Sequence, residues 1–156
     1  GQAQWQRCQT HFRRNLLDAA PKGLRQEFNE ALDGLLLAED KEEAKEQVDW
    51  MLEHFAGRCD ASLQRLEEGW EQACTVLSWP QKYRKRLRTT NMVERLNEEL
   101  RRRDRVIRIY PNMQSCIRLM GAQLVEHHER WSTRTYLDME DYFQFKQAPP
   151  ASTAAQ

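Results

Sequence analysis

Apolar residues recur at three- and four-residue spacing along most of this chain, a period that matches the α-helix. Leu24, Phe28, Ala31, Leu32 and Leu35 form one such stripe. Asp40 is an N-cap type, with Glu43 three residues on as a capping box. Ala44, Val48, Met51, Leu52 and Phe55 follow as the apolar face of that helix, which Gly57 ends. Asp60 is expected to cap a third helix carrying Leu63, Leu66, Trp70, Ala73, Cys74 and Leu77, closed by Pro80. Residues 24–79 therefore read as a compact helical module.

The flanks are less regular. Ala3 to Phe12 alternates aromatic and polar residues, which suggests a short strand. A helix is expected from about His11 to Ala19, broken by Pro21 and Gly23. "VIRIY" (Val106 to Tyr110) is β-branched and aromatic and is expected to be extended. Asn112 caps a last long helix to about Trp131, with Ile117, Met120, Leu124 and His127 or His128 inward. The five tryptophans, Trp5, Trp50, Trp70, Trp79 and Trp131, are expected in the core. Trp79 or Tyr83 could instead stack on a DNA base. Residues 147–156 are rich in Pro, Ala and Ser and are expected to be disordered.

At 156 residues the chain has the length of one domain, or of a piece of a larger one. It starts without Met and runs straight into an aromatic segment, as expected of a piece of a longer reading frame. No run of apolar residues is long enough for a membrane span or a signal peptide, so a soluble, cytoplasmic protein is expected. Cys8, Cys59, Cys74 and Cys116 form no CxxC pair and are expected to be reduced thiols.

Formal charge sums to zero but is strongly segregated. Residues 82–108 carry eleven Lys/Arg against four Asp/Glu, while residues 1–81 carry nine against fifteen. Such a block suits a polyanion. A solvated helical face would also account for it.

Inside the block lies "RTTNMVERLNEELRRRDR" (Arg88 to Arg105), in which Glu94 precedes the arginine run Arg101 to Arg103. Glu94 stands three residues after Asn91, so it could serve as the acid of a variant capping box. On a helix, however, Glu94, Asn97 (or Glu98) and Arg101 share one stripe, while Val93, Leu96 and Leu100 share a neighbouring one. The apolar stripe could fix the helix and leave Glu94 facing a cleft. A carboxylate can hold Mg²⁺, whose other ligands are commonly substrate phosphates. Arginines hold the flanking phosphodiesters. The candidate DNA-binding residues are Lys82, Arg84, Lys85, Arg86, Arg88, Asn91, Asn97, Arg101, Arg102, Arg103 and Arg105, with Glu94 as catalytic and metal-ligating residue.

The segment "TTNMVERLNEELRRRDRVIRIYPN" resembles the C-terminal signature of Mutator-type bacterial insertion-sequence transposases. The matching positions are Thr89, Thr90, Asn91, Glu94, Asn97, Arg101 to Arg103, and Tyr110-Pro111-Asn112. "WQRCQTHFRRN" (Trp5 to Asn15) resembles the segment that follows the family's second catalytic aspartate, including Cys8 and His11. The resemblance covers roughly residues 4 to 143. It implies a mainly α chain, the C-terminal part of an RNase H-like α/β catalytic core with an all-α insertion. By it, residues 3–20 end a core strand and start the following helix, and 21–80 form the insertion. Residues 81–143 carry the terminal core helices, and 144–156 a disordered tail. Glu94 is then the third acid of a DDE triad whose two aspartates lie upstream. The implied cofactor is Mg²⁺ or Mn²⁺. The implied partners are the element's terminal inverted repeats and target DNA, within a homo-oligomer in a bacterial cytoplasm. A chain with one of three acids is expected not to cleave or join DNA alone, because two-metal phosphoryl transfer clamps its ions with several carboxylates.

The remaining constellations are weaker. Cys8 and His11 could contribute to a zinc site, but such a site takes four ligands and no second paired spacing exists. The other readings are a small buried cysteine with a histidine in polar contact with core or DNA, or a positioning role near the acids. His127-His128 reads as a partly exposed pair. An alternative function is a stand-alone helical module that binds DNA, or the intact transposase, without catalysis. A helix-turn-helix is disfavoured by the length of the link after the Glu94 helix.

Overall fold

A computed structural model describes residues 4–135 and 137–147. Its helices run α1 (Gln9–Ala19), α2 (Arg25–Leu37), α3 (Lys41–His54), α4 (Asp60–Ala73), α5 (Gln81–Leu87), α6 (Asn91–Ile107), α7 (Met113–Ser132) and α8 (Glu140–Gln147), with 3₁₀ turns at Lys22–Leu24 and Thr75–Ser78. No strand occurs among the described residues. The chain divides into two units, residues 1–89 and 90–156.

In the first unit the sequence stripes become the core. Phe12 and Leu16 of α1 join Phe28, Leu32 and Leu35 of α2, Ala44, Val48 and Met51 of α3, and Leu63, Leu66 and Ala73 of α4. Phe28 and Phe55 meet edge-to-face with ring centroids 4.9 Å apart. Asp40 caps α3 as expected, accepting from the Glu43 amide at 2.9 Å. Glu43 reaches back to the amide of Glu39 at 2.6 Å, one residue before the cap. After α3 the chain turns through Gly57 at φ 70°, a conformation that glycine adopts without steric cost. Asp60 does not cap α4. Cys59 holds the cap position and Asp60 instead accepts from the Gly57 amide at 2.8 Å, which closes the turn.

The strand expected before α1 is absent among the described residues. A strand needs a neighbour, and the backbone and side chains here bond to the end of α4 instead. The Arg7 amide donates to Gln72 O at 2.9 Å. Gln6 Nε2 and Gln9 Nε2 both donate to Ala73 O, at 2.9 and 3.0 Å. Gln6 Oε1 accepts from the Val76 amide at 2.6 Å. Two glutamines thus satisfy groups that a helix end leaves open. Arg7 lies over the Phe12 ring, 5.0 Å from its centroid.

In the second unit α6 and α7 form a hairpin. Asn112 caps α7 as expected, accepting from the Ser115 amide at 2.9 Å. "VIRIY" is not extended throughout: Val106 and Ile107 complete α6. The helix stops at Arg108, where φ is +62° and ψ −50°, and the Ile109 amide donates to Ile107 O at 2.7 Å. That is a γ-turn with positive φ, a strained conformation for a residue with a Cβ. No apolar side chain of this unit is buried among the described residues. Val106 is 81% exposed, Ile109 84% and Ile117 62%. Among the described residues of this unit only Gln123 is buried.

The tryptophan expectation is corrected. Trp5 is 72% exposed, Trp50 and Trp131 are exposed, and Trp70 and Trp79 are half-buried. Residues 144–147, expected to open a disordered tail, close α8; residues 148–156 lie outside the described residues. No helix among the described residues is long and apolar enough to cross a membrane.

Candidate nucleic-acid interface and acidic centre

The helix that carries Glu94 starts one residue earlier than an Asn91 cap would place it. Thr90 is the N-cap and Asn91 the first helical residue. Thr90 makes no capping bond to the backbone; its hydroxyl donates to Glu94 Oε1 at 2.7 Å. The capping box is therefore not formed as the sequence allowed, since its acid would sit at the third helical position and reach the cap amide. Glu94 is at the fourth, exposed, in a first turn whose amides favour negative charge.

Along α6, successive residues rotate by about 100°. Glu94, Arg101 and Arg105 fall within one narrow stripe, with Asn97 and Glu98 to either side. Asn91, Glu94, Asn97, Arg101 and Arg105 are all exposed. Neither Arg101 nor Arg105 is paired with a carboxylate among the described residues. The other two arginines of the run are tied down. Arg102 donates to Glu99 at 3.0 Å and holds that carboxyl below the usual range, while Arg103 reaches Glu126 of α7 at 3.4 Å. Glu126 also accepts from Arg130, so it anchors two cations.

In the first unit, the basic residues before Thr89 have distinct surroundings. Lys85 and Arg86 are exposed on α5, and Lys82 sits 5.1 Å from the Tyr83 ring centroid. Tyr83 is buried, which leaves it no face for a base. Arg88 is half-buried, and its carbonyl accepts from the Gln9 amide at 2.9 Å. Arg84 is a clasp. Its Nε donates to Trp79 O at 2.8 Å, Nη1 to Glu39 O at 2.7 Å and Nη2 to Leu77 O at 2.9 Å. One guanidinium thus joins the α2–α3 corner to the turn before α5.

Cys8, half-buried, holds the N-cap position of α1 without a side-chain capping bond, and His11 is exposed one turn on. Cys59 and Cys74 are buried in the core of the first unit, and burial pushes the Cys74 thiol up to about 12. Thiols held neutral in this way suit packing and not metal binding. No disulfide joins the four cysteines.

Nothing in the spacing of the basic block singled out Arg95 or Arg134. Both line a cleft of 510 Å³ in the second unit, together with Met92, Leu96, His127 and Trp131. His127 and Trp131 meet edge-to-face with centroids 6.0 Å apart. Four-residue spacing of His127 and Trp131 on α7 was the available signal.

The family described as "Transposase, Mutator family" matches residues 1–134. The chain is 40% identical, over 93% of its length, to the transposase for insertion sequence element ISRM5 of Rhizobium meliloti (strain 1021). It is 36% identical over 87% of its length to that for IS256 in transposon Tn4001 of Staphylococcus aureus. To that for IS1081 of Mycobacterium tuberculosis (strain ATCC 25618 / H37Rv) it is 34% identical over 88%. It spans 37%, 36% and 34% of those proteins' own lengths.

Proposed function

Because the chain belongs to the Mutator family of transposases, we propose that it is the C-terminal portion of a DDE transposase and carries the third catalytic acid, Glu94. The intact enzyme cuts and joins DNA strands at the ends of an insertion sequence, as part of an RNase H-like core. The observation that carries this reading is the exposed Glu94 carboxylate, set by Thr90 on the same helix stripe as Arg101 and Arg105.

The donor set fits one ligand of a Mg²⁺ or Mn²⁺ site: a hard, exposed carboxylate oxygen. Glu94 would hold such an ion, which when bound would supply Lewis-acid polarisation of a phosphoryl oxygen and of the attacking hydroxyl. Glu94 supplies charge and position for it, and Arg101 and Arg105 hold neighbouring phosphates. Asn91 and Asn97, exposed on the same helix, offer neutral donors to the sugar-phosphate chain. Lys82, Lys85, Arg86 and Arg88 add cations in the first unit. Arg84, with three of its five N–H donors taken by carbonyls, serves this interface less than Arg101 and Arg105, as do Arg102 and Arg103. The uncovered apolar residues of α6 and α7 are the seat for the remainder of the catalytic domain, which brings the two upstream aspartates.

Two experiments test this. The chain alone binds duplex DNA, with log K falling against log salt at a slope of about −0.9 per phosphate contact. It shows no strand cleavage with Mg²⁺ or Mn²⁺; turnover would refute the one-acid reading. In a transposase of full family length, Glu94→Gln abolishes strand transfer and leaves DNA affinity within about twofold. Retained strand transfer removes Glu94 from the triad.

A further inference from the structure

The cleft between the start of α6 and the end of α7 has a composition that the phosphoryl-transfer site does not explain. Its walls are Met92, Leu96 and Trp131, and its rim is Arg95, Arg134 and His127. No carboxylate lines it. Arg95 and Arg134 are exposed, and neither guanidinium is paired with an acid among the described residues. Trp131 is 41% exposed, with His127 set against its edge. At 510 Å³ the cleft lies within the size range of small-ligand sites, about 300–1,000 Å³.

We propose that this cleft receives an unpaired nucleobase of the DNA substrate, stacked on Trp131, with the adjoining phosphate held by Arg95 and Arg134. The inference rests on the reading of the chain as a DNA-acting transposase portion. An indole face is sequence-tolerant toward bases, and guanidiniums beside it match the charge of the backbone. Helix geometry narrows the ligand further. Met92 and Leu96 lie almost opposite Glu94 around α6, so a paired base of a duplex lying along the Glu94 stripe cannot reach the cleft. A single strand that passes around the start of α6, past Arg95, can. The cleft therefore selects unpaired over paired DNA, which suits a strand freed at an element end. The apolar seat for the rest of the catalytic domain lies instead toward Val106, Ile109 and Ile117, where no free guanidinium pair stands beside an exposed indole.

The test is a fluorescence titration of the full 156-residue chain with three DNAs: a duplex bearing one bulged 2-aminopurine, the same duplex fully paired, and the single strand. The bulged base is expected to be quenched on binding. Trp131→Leu weakens binding of the bulged and single-stranded DNAs at least about fivefold and leaves the paired duplex within about twofold. Arg95→Gln and Arg134→Gln, at exposed positions, each lower the single-strand salt slope by about one contact. They serve as the second reading if Trp131→Leu lowers stability. Duplex binding with no preference for the bulge, and no effect of the three variants, overturns the cleft while the transposase reading stands. Absence of all DNA binding at low salt sinks the functional reading first and the cleft with it. A change in oligomeric state on Trp131→Leu, with DNA affinities unmoved, assigns the cleft to a second copy and overturns the proposal.

Discussion

Replacing Arg84 with methionine keeps the apolar stem and removes three hydrogen bonds at once. The bonds to Trp79 O and Leu77 O are partly buried and the bond to Glu39 O is exposed. A hydrogen bond from a charged donor contributes about 1.5–3 kcal/mol when shielded, and an exposed carbonyl recovers most of its loss from water. Two shielded bonds, partly compensated by water entering the gap, give about 2–4 kcal/mol. For a unit of this size, 1 kcal/mol shifts the midpoint by about 4–8 °C, so Arg84→Met is expected to lower the first unit's melting temperature by about 10–25 °C. Lys85→Met, one residue along and exposed, is the control and stays within about 0.5 kcal/mol. Circular dichroism melts of the two variants decide the matter. The reasoning is refuted if Arg84→Met melts like Lys85→Met while its DNA affinity falls, because Arg84 would then be a phosphate contact.

Two further outcomes follow from burial. The Cys74 thiol titrates at about 12 in the fold against 9.0 as the reference value, so above pH 9 the unfolded chain binds fewer protons than the native one. Stability should fall as pH rises from 9 toward 12, by about 1 kcal/mol per unit, and Cys74→Ala should flatten that slope; urea melts at pH 8, 9.5 and 10.5 measure it. Hydrogen exchange should separate the two units. Amides of α2, α3 and α4 should exchange only on global opening, whereas those of α6 and α7, with no buried apolar side chain, should open at a cost of about 0–2 kcal/mol. Equal protection across both units would show that the second is covered in solution.

The helical module was legible because a 3.6-residue period survives wherever each stripe finds a partner within the same segment. Phe28, Leu32, Val48, Met51, Leu63 and Leu66 were read as core and are core. Periodicity names a face but not its cover, which is why Ile117 and Leu124, read as inward, are exposed. The tryptophans failed for a related reason: a large ring needs a deep neighbourhood, and Trp5 and Trp131 stand where few residues surround them. Alternation before α1 mimicked a strand, yet Gln6 and Gln9 were placed to bond Ala73 O. In "VIRIY" the β-branched preference lost to continuation of α6 as far as Arg108. Charge composition gave the basic block but could not separate arginines that face solvent from one, Arg84, that faces carbonyls. At the candidate site, the Glu94 stripe with Arg101 and Arg105 was readable from spacing alone. The Thr90 bond was not, because it depends on which of three cap-type residues starts the helix.

That last detail bears on how the acid can be tested. Thr90 donates its hydroxyl proton to Glu94 Oε1, so the carboxylate is oriented from within its own helix. Glutamine at position 94 keeps a carbonyl oxygen to accept that bond and keeps the length of the side chain. It removes the charge while preserving that bond, so a loss of strand transfer in Glu94→Gln reports on the charge and not on a lost Thr90 contact. Aspartate would keep the charge but draw the oxygens back by one methylene, beyond reach of the hydroxyl. Thr90→Val makes the complementary change, since it leaves the charge intact and frees its rotamer. If Glu94 is a ligand, the charge-removing variant is the more damaging of the two, and Thr90→Val is partly rescued by raising the Mg²⁺ concentration. If Glu94 only completes the first turn of α6, the two variants differ little and added Mg²⁺ changes neither.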